Sequence, residues 1–257
     1  MTSLERFSLS GKRAIVTGAS RGIGRAIALG FAEAGADVAL VSRKLEGLRG
    51  VAKEIEERTA QRALPIACHV GRAEDVNRMV DEVLREWGAI DILVNNAGTN
   101  PVMGPLAEMD PAAWDKIMDI NLKGPYLASA RVIRAMIERG EGGKIINISS
   151  AASLDPAPML GAYSVSKAAL NHLTRTLAKE CGHANICVNA IAPGLIETQF
   201  AAALISNPAI HQSVVRGTPL GRHGQPDEIV GTALLLASSG SDFMTGQVVV
   251  VDGGARM

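Results

Sequence analysis

The sequence predicts an α/β fold, a doubly wound sheet of seven parallel strands with helices on both faces, and three observations carry that expectation. Short β-branched and aliphatic runs alternate with stretches of helical periodicity from one end of the chain to the other. Strands separated by helices imply right-handed crossovers, and these make the sheet parallel. Hydrophobic residues are 47% of the 257 residues and aromatics only 3%, so Leu, Ile, Val and Ala fill the core, as suits strands buried on both faces. No repeat, low-complexity tract or linker interrupts the pattern, so residues 1–257 are expected to form one domain.

In chain order, Arg13–Thr17 reads as a strand, Gly22–Ala34 as a helix and Asp37–Ser42 as a strand. Leu45–Thr59 follows as a helix with apolar residues at helical spacing, then Ala63–Val70 as a strand and Asp75–Trp87 as a helix. Asp91–Asn95 is a strand, and Pro111 opens a helix to Glu138, as a first-turn proline does, with an irregularity near Gly124-Pro125. "KIINIS" is a strand, Tyr163–Cys181 a helix, and "ICVNAIA" a strand stopped by Pro193-Gly194. A helix over Pro226–Ala237 and the strand "QVVVVDGG" complete the chain. Thr99–Asp110 and Gly194–Gln225 read as working loops, the second a lid with its own helical pattern. Ligands of such sheets lie beyond the carboxyl ends of the strands. That edge holds Gly18, Ser42, Val70, Asn95, Ser150 and Pro193.

Lys plus Arg and Asp plus Glu are 26 each, so no basic excess points to nucleic acid or an anionic membrane. Three cysteines without a C-x-x-C pair argue against a disulfide framework or a zinc site and for a reducing compartment. No apolar run is long enough to span a bilayer, and the first residues lack the apolar stretch of a signal peptide. A cytoplasmic protein is expected, with no metal.

"VTGASRGIGRA" has two readings. Gly18-Ala19-Ser20-Arg21-Gly22 fits G-x-S-x-G, which would make Ser20 a hydrolytic nucleophile. Gly18, Gly22 and Gly24 also make a glycine-rich turn that seats a pyrophosphate at a helix N-terminus. The motif follows the first strand, with no earlier strand or HGGG-like stretch to build an oxyanion hole, which favours the cradle. Tyr163 and Lys167 stand one helical turn apart on one face. An ammonium there favours the phenolate and lowers a tyrosine pKa from its usual value of about 10. Tyr126 has Ala130 at the same offset. Alone, the pair reads more readily as chance neighbours on a solvated helix.

With "TGASRGIG" (17–24), "NNAG" (95–98), "DIN" (119–121), Ser150, "YSVSK" (163–167), "APGLIET" (192–198) and "TGQVVVVDGG" (245–254), the chain resembles the short-chain dehydrogenase/reductase family over essentially its whole length. The resemblance implies a Rossmann-type sheet and hydride transfer between a nicotinamide and a carbonyl or alcohol. Tyr163 would act as general acid/base, and Lys167 would bind the ribose and lower the tyrosine pKa. Ser150 would hydrogen-bond the substrate oxygen, and Asn121 would hold a water in the proton relay. Ser20 becomes a cofactor-loop residue with Gly18, Arg21, Gly22, Ile23 and Gly24. Further implied cofactor contacts are Asn96, Ala97 and Gly98 after the fourth strand, and Pro193, Gly194, Ile196 and Thr198 after the sixth.

A ribose-binding carboxylate belongs about 20 residues beyond the glycines. That place holds Ser42 and then Arg43, so Arg43 and Arg21 are positioned to clamp a 2′-phosphate and the expected cofactor is NADP(H). Where the family usually carries Asp-Val at the adenine, this chain has His69-Val70.

Leu154, Met159, Leu160, Phe200 and Leu204 suggest a pocket for a small hydrophobic ketone, dicarbonyl or aldehyde. The resemblance is strongest to NADPH-dependent carbonyl reductases. A 3-oxoacyl-thioester reductase is the alternative, weakened by Glu141 and Ala184 where carrier-protein reductases place arginines; a non-enzymatic NADP-sensing module is a third reading. Family habit and the apolar last strand point to a homotetramer. Ala255-Arg256-Met257 loosely resembles a peroxisomal address, relevant only in a eukaryote.

Overall fold

The aliphatic runs become β1 (Arg13–Thr17), β2 (Asp37–Ser42), β3 (Ala63–Ala67), β4 (Ile92–Asn95), β5 (Gly143–Ile148), β6 (Ile186–Pro193) and β7 (Val248–Val251) in a computed structural model that describes residues 2–256. They form one sheet in the order β3-β2-β1-β4-β5-β6-β7, every adjacent pair parallel. The intervening helices are α1 (Gly22–Glu33), α2 (Leu45–Arg58), α3 (Ala73–Trp87), α4 (Pro111–Met118), α5 (Gly124–Arg139) and α6 (Gly161–Cys181). Two short helices follow, α7 (Ala202–Ile205) and α8 (Pro208–Arg216), then α9 (Val230–Ala237).

Strand side chains alternate between faces, so the sheet has two apolar cores. Val16, Leu40 and Val94 pack with Ile27 and Phe31 of α1, Ile55 of α2 and Leu236 of α9. Ile15, Val41 and Leu93 point the other way, onto Met79 and Val83 of α3, Val132 of α5 and Leu177 of α6. Helices therefore cover both faces. The strand order reverses between β1 and β4, and the crevice at their carboxyl ends is the natural ligand position.

The opposite end is clasped by Asp91, which is 5% exposed. Its carboxylate accepts from the Arg13 backbone N–H at 2.9 Å and Nε at 2.7 Å, and pairs with Arg139 Nη1 at 3.0 Å. These cations hold the Asp91 carboxyl below its ordinary range despite the burial that opposes them.

Several boundaries differ from expectation for local reasons. The helix expected from Pro111 to Glu138 is two α-helices joined by a π-turn over Asp119–Lys123. Pro125 has no N–H to offer the carbonyl four residues back, at Asn121, and the ladder accommodates one extra residue there. The third strand stops at Ala67 rather than Val70, because the His69 N–H leaves the sheet for Asp75 Oδ2 at 3.0 Å. The helix expected from Pro226 begins as a 3₁₀ turn with a capping box between Gln225 and Glu228. The last strand ends at Val251, ahead of two glycines at positive φ. No helix among the described residues is long and apolar enough to cross a membrane. The tripeptide read as a possible address ends in Met257, outside the described residues.

Candidate active site

The glycine-rich turn is built by its neighbours. Thr17 Oγ1 accepts the N–H groups of Asn96 and Ala97 at 2.9 and 3.0 Å, and Asn96 Nδ2 donates to Thr17 O at 2.9 Å and Gly18 O at 3.2 Å. "NNAG" thus ties β4 to the turn after β1. Gly18 and Gly22 adopt φ of +68° and +55°. A methyl on Gly24 would lie 2.3 Å from Asn96 Nδ2 and 2.4 Å from Gly18 O, so only glycine lets α1 start this close to the strand. The result is a backbone cradle at a helix N-terminus, which suits a pyrophosphate. Ser20 lines it. Two of the histidines available as partners for a serine nucleophile are bonded elsewhere, His211 Nε2 to His223 Nδ1 and His223 Nε2 to Glu197 Oε2, both at 3.0 Å.

Ser150 leaves the end of β5 as a cap whose Oγ accepts the Ala152 N–H at 3.2 Å, and its hydroxyl stands close enough to the Tyr163 phenol to favour the phenolate. Tyr163 sits in the first turn of α6, half-buried. Lys167, one turn on and 4% exposed, donates from Nζ to Ile148 O at 2.7 Å and lies 5.8 Å from the Tyr163 ring centroid. Burial pushes the Tyr163 pKa up, opposed by the neighbouring Ser150 hydroxyl. Burial brings Lys167 down to about 8. The sequence led us to expect that the ammonium lowers the tyrosine pKa. Here Nζ is turned to the Ile148 carbonyl, and desolvation governs both groups.

Asn121 is fully buried in the π-turn. Its Oδ1 accepts the Thr99 N–H at 2.8 Å, and Nδ2 donates to Thr99 O at 2.9 Å and Ser166 Oγ at 3.1 Å. Ser166 Oγ in turn donates to Tyr163 O at 2.7 Å. The Asn121 amide therefore joins the 97–99 segment to the tyrosine helix, and its side chain has no remaining donor. A Cβ on Gly98 would stand 3.8 Å from Lys167 Nζ, which puts this backbone directly over that ammonium.

Sequence reasoning missed the buried polar ladder beneath these groups. Asn95 Nδ2 donates to Ser129 Oγ at 3.0 Å and Asn147 Oδ1 at 2.9 Å, and Asn147 Nδ2 donates to Thr174 Oγ1 at 2.8 Å. It links β4, β5, α5 and α6. The sequence signal was an asparagine in each of two strands otherwise filled by aliphatics; that Asn95 and Asn147 pair is visible only in the structure.

Along the cofactor edge, Ser42 Oγ donates to Lys44 O at 2.9 Å, no carboxylate stands at this position, and Arg43 is exposed. The Arg21 guanidinium bonds the Gln199 amide oxygen, joining the glycine turn to the start of the lid. His69 Nδ1 is buried with no hydrogen-bond partner, an unused polar atom at the adenine end, and Val70 is buried beside Gly124. After Pro193 at the end of β6, Gly194 donates to Val251 O at 3.0 Å. Ile196 is buried, and the Thr198 methyl would meet a Cβ on Gly22 at 3.1 Å. Ile23 packs against the core under α1. These groups form one continuous edge around the glycine cradle, and they fit a dinucleotide.

Large apolar side chains remain exposed on the segments flanking Ser150 and Tyr163. Leu154, Met159 and Phe200 were expected; Val102, Met103 and Leu106, on the loop bonded to Met159 O through the Gly104 N–H at 3.0 Å, were not. A separate cleft of about 1110 Å³ opens at the far end of the strands, lined by Arg139, Lys144 and Asp242 among others, away from the glycine cradle.

A family profile described as enoyl-(acyl carrier protein) reductase matches residues 18–256. The chain is 42% identical over 251 residues to the rabbit (Oryctolagus cuniculus) protein named dehydrogenase/reductase SDR family member 4, covering 97% of this chain and 95% of that one. A solved short-chain type dehydrogenase/reductase from Mycobacterium marinum superposes with a TM-score of 0.94 at 40% identity, covering 99% of both chains. A gluconate 5-dehydrogenase from Burkholderia cenocepacia J2315, solved with NADP and tartrate, gives 0.94 at 39% identity over 99% of this chain and 98% of its own. The chain belongs to the short-chain dehydrogenase/reductase family. It is an oxidoreductase acting on CH–OH and C=O groups.

Proposed function

We propose that this protein is an NADP(H)-dependent carbonyl reductase that converts a neutral, hydrophobic ketone, dicarbonyl or aldehyde to its alcohol. The observation that carries the reading is Ser150 beside the Tyr163 phenol, with Phe200 packed on the Tyr163 ring, exposed Val102, Met103, Leu154 and Met159 on the neighbouring segments, and no carboxylate at Ser42-Arg43. Such a mouth offers a charged substrate little compensation for its lost water.

Gly18, Ser20, Gly22 and Ile23 would hold the pyrophosphate, Arg43 and Arg21 the 2′-phosphate, and Lys167 the nicotinamide ribose. Adenine would face His69 and Val70; Asn96 to Gly98, Pro193, Gly194, Ile196 and Thr198 would border the nicotinamide half. When bound, the reduced nicotinamide supplies the hydride. As negative charge develops on the carbonyl oxygen, Ser150 Oγ donates a hydrogen bond to it and Tyr163 delivers the proton. We assign the relay water to the Asn121 carbonyl, which Pro125 deprives of its ordinary helical donor.

The test follows NADPH absorbance with a 1,2-diketone, an aromatic ketone, retinal, an acetoacetyl thioester and a polyhydroxy keto acid. Fast oxidation with the first two, little with the last two, and higher kcat/KM with NADPH than NADH are expected. The reverse ranking overturns the proposal. The thioester reading, already weakened by Glu141 and Ala184, loses further support because Arg139, two residues before Glu141, pairs its guanidinium with Asp91. We take the working form to be a cytoplasmic homotetramer. Tyr126, Ile137 and Val165, 49%, 47% and 42% exposed on α5 and α6, support pairing through those helices.

A further inference from the structure

Phe200 occupies an unusual place for a lid residue. It follows Gln199 in a turn whose ends are pinned: the Ala201 N–H donates to Thr198 O at 3.0 Å and Oγ1 at 3.3 Å, and Ala201 is buried. Gln199 accepts from Arg21 of the glycine turn, and the Thr198 methyl packs toward Gly22. From this anchored turn the Phe200 ring leans on Tyr163, centroids 5.6 Å apart and planes tilted by 43°, yet half of Phe200 (52%) stays exposed. The separation and tilt fall in the range of attractive aromatic pairs. The ring thus has one part on the proton donor and another available to the site mouth.

We propose that Phe200 is a positioning and specificity-determining residue: its ring caps the Tyr163 ring against water and offers a flat apolar plane on which a conjugated carbonyl substrate stacks beside the proton donor. This rests on the carbonyl-reductase reading and adds to it a preference for conjugated, aromatic substrates. A small dicarbonyl reaches Ser150 and Tyr163 without needing the plane. An aromatic ketone gains from it, and a hydrated polyol gains nothing. The cap also accounts for a phenol whose ionisation is opposed by desolvation. Because the turn is bonded to Arg21, the cap is held by the same loop that cradles the cofactor.

The experiment compares Phe200→Ala and Phe200→Tyr with the parent. For Phe200→Ala, KM for an aromatic ketone should rise about tenfold while KM for a small 1,2-diketone changes less than about twofold. NADPH affinity by fluorescence titration should stay unchanged, and Phe200→Tyr should restore the parent KM. Equal changes for both ketones overturn the specificity role. A second readout needs no substrate. The chain has only two tyrosines, so in a Tyr126→Phe background the phenolate band reports Tyr163 alone. Phe200→Ala should move its midpoint to lower pH, and an unmoved midpoint overturns the cap. If the parent reduces none of the carbonyls, the carbonyl-reductase reading and the specificity role fall with it, and the phenolate midpoint alone decides the cap.

Discussion

Stability and chemistry pull apart at Lys167. In the folded protein its pKa is about 8, against 10.5 as the ordinary value, because the ammonium is buried with one carbonyl partner. Between those values the unfolded chain binds the proton that the folded chain has released, so stability should rise with pH from about 8 toward 10. Below 8 the full penalty applies, roughly 3 kcal/mol at 1.4 kcal/mol per pKa unit. Tyr163 acts oppositely: its raised pKa means stability falls once pH climbs through the ordinary tyrosine range, near 10. Lys167→Met should therefore melt at a higher temperature than the parent at pH 7 and lose the alkaline rise, while abolishing turnover. Melting curves across pH 7 to 10 would show it, and a lower Tm at pH 7 would contradict the burial argument. Tyr163→Phe isolates the chemistry. NADPH binding should persist, and kcat should drop by about 10²- to 10⁴-fold, the usual contribution of a positioned acid; unchanged turnover would refute the role.

At the scale of elements, the helices and strands were mostly legible because hydrophobic period is local. β2 matches its expected span, and the glycines and prolines that punctuate the chain end elements where their backbone chemistry demands. The π-turn was legible only as an irregularity, since deciding between a kink and an inserted residue depends on Asn121 reaching Thr99 and Ser166. The Asp91 clasp was not legible at all. Its partners come from β1 and the end of α5, far apart in sequence. Asp91→Asn should cost about 3 kcal/mol at pH 7, the low end for a broken buried pair, because Arg13 and Arg139 lose their anion while keeping part of their own hydration. Because the Asp91 pKa is lowered, its contribution is present above the ordinary carboxylate value and is lost as pH falls through the lowered one. The parent should thus lose stability more steeply than the variant below about pH 4. Urea titrations at pH 7 and in acid would check both limbs.

For the whole molecule, one end of the sheet binds and the other is clasped, and α5 and α6 carry apolar surface that the chain by itself leaves uncovered. If the proposed tetramer pairs through these helices, Val165→Glu should reduce the mass seen by light scattering toward smaller species. A parent already monomeric would remove the oligomer reading while leaving the site chemistry untouched.

What the sequence determined by itself is whatever depends on neighbours in the chain: strand and helix periods, the glycine turn, the Tyr163–Lys167 spacing, and the missing acid at Ser42-Arg43. A backbone conformation or an i,i+4 pair needs no partner from elsewhere. Only the tertiary structure decided how those groups are tuned. Packing turned Lys167 toward Ile148 and let burial outweigh its charge at Tyr163. It also stacked Asn95 on Asn147 and brought Phe200 across from the lid. Desolvation and long-range hydrogen bonds arise from what surrounds a group in space, and the order of residues along the chain does not display that surrounding.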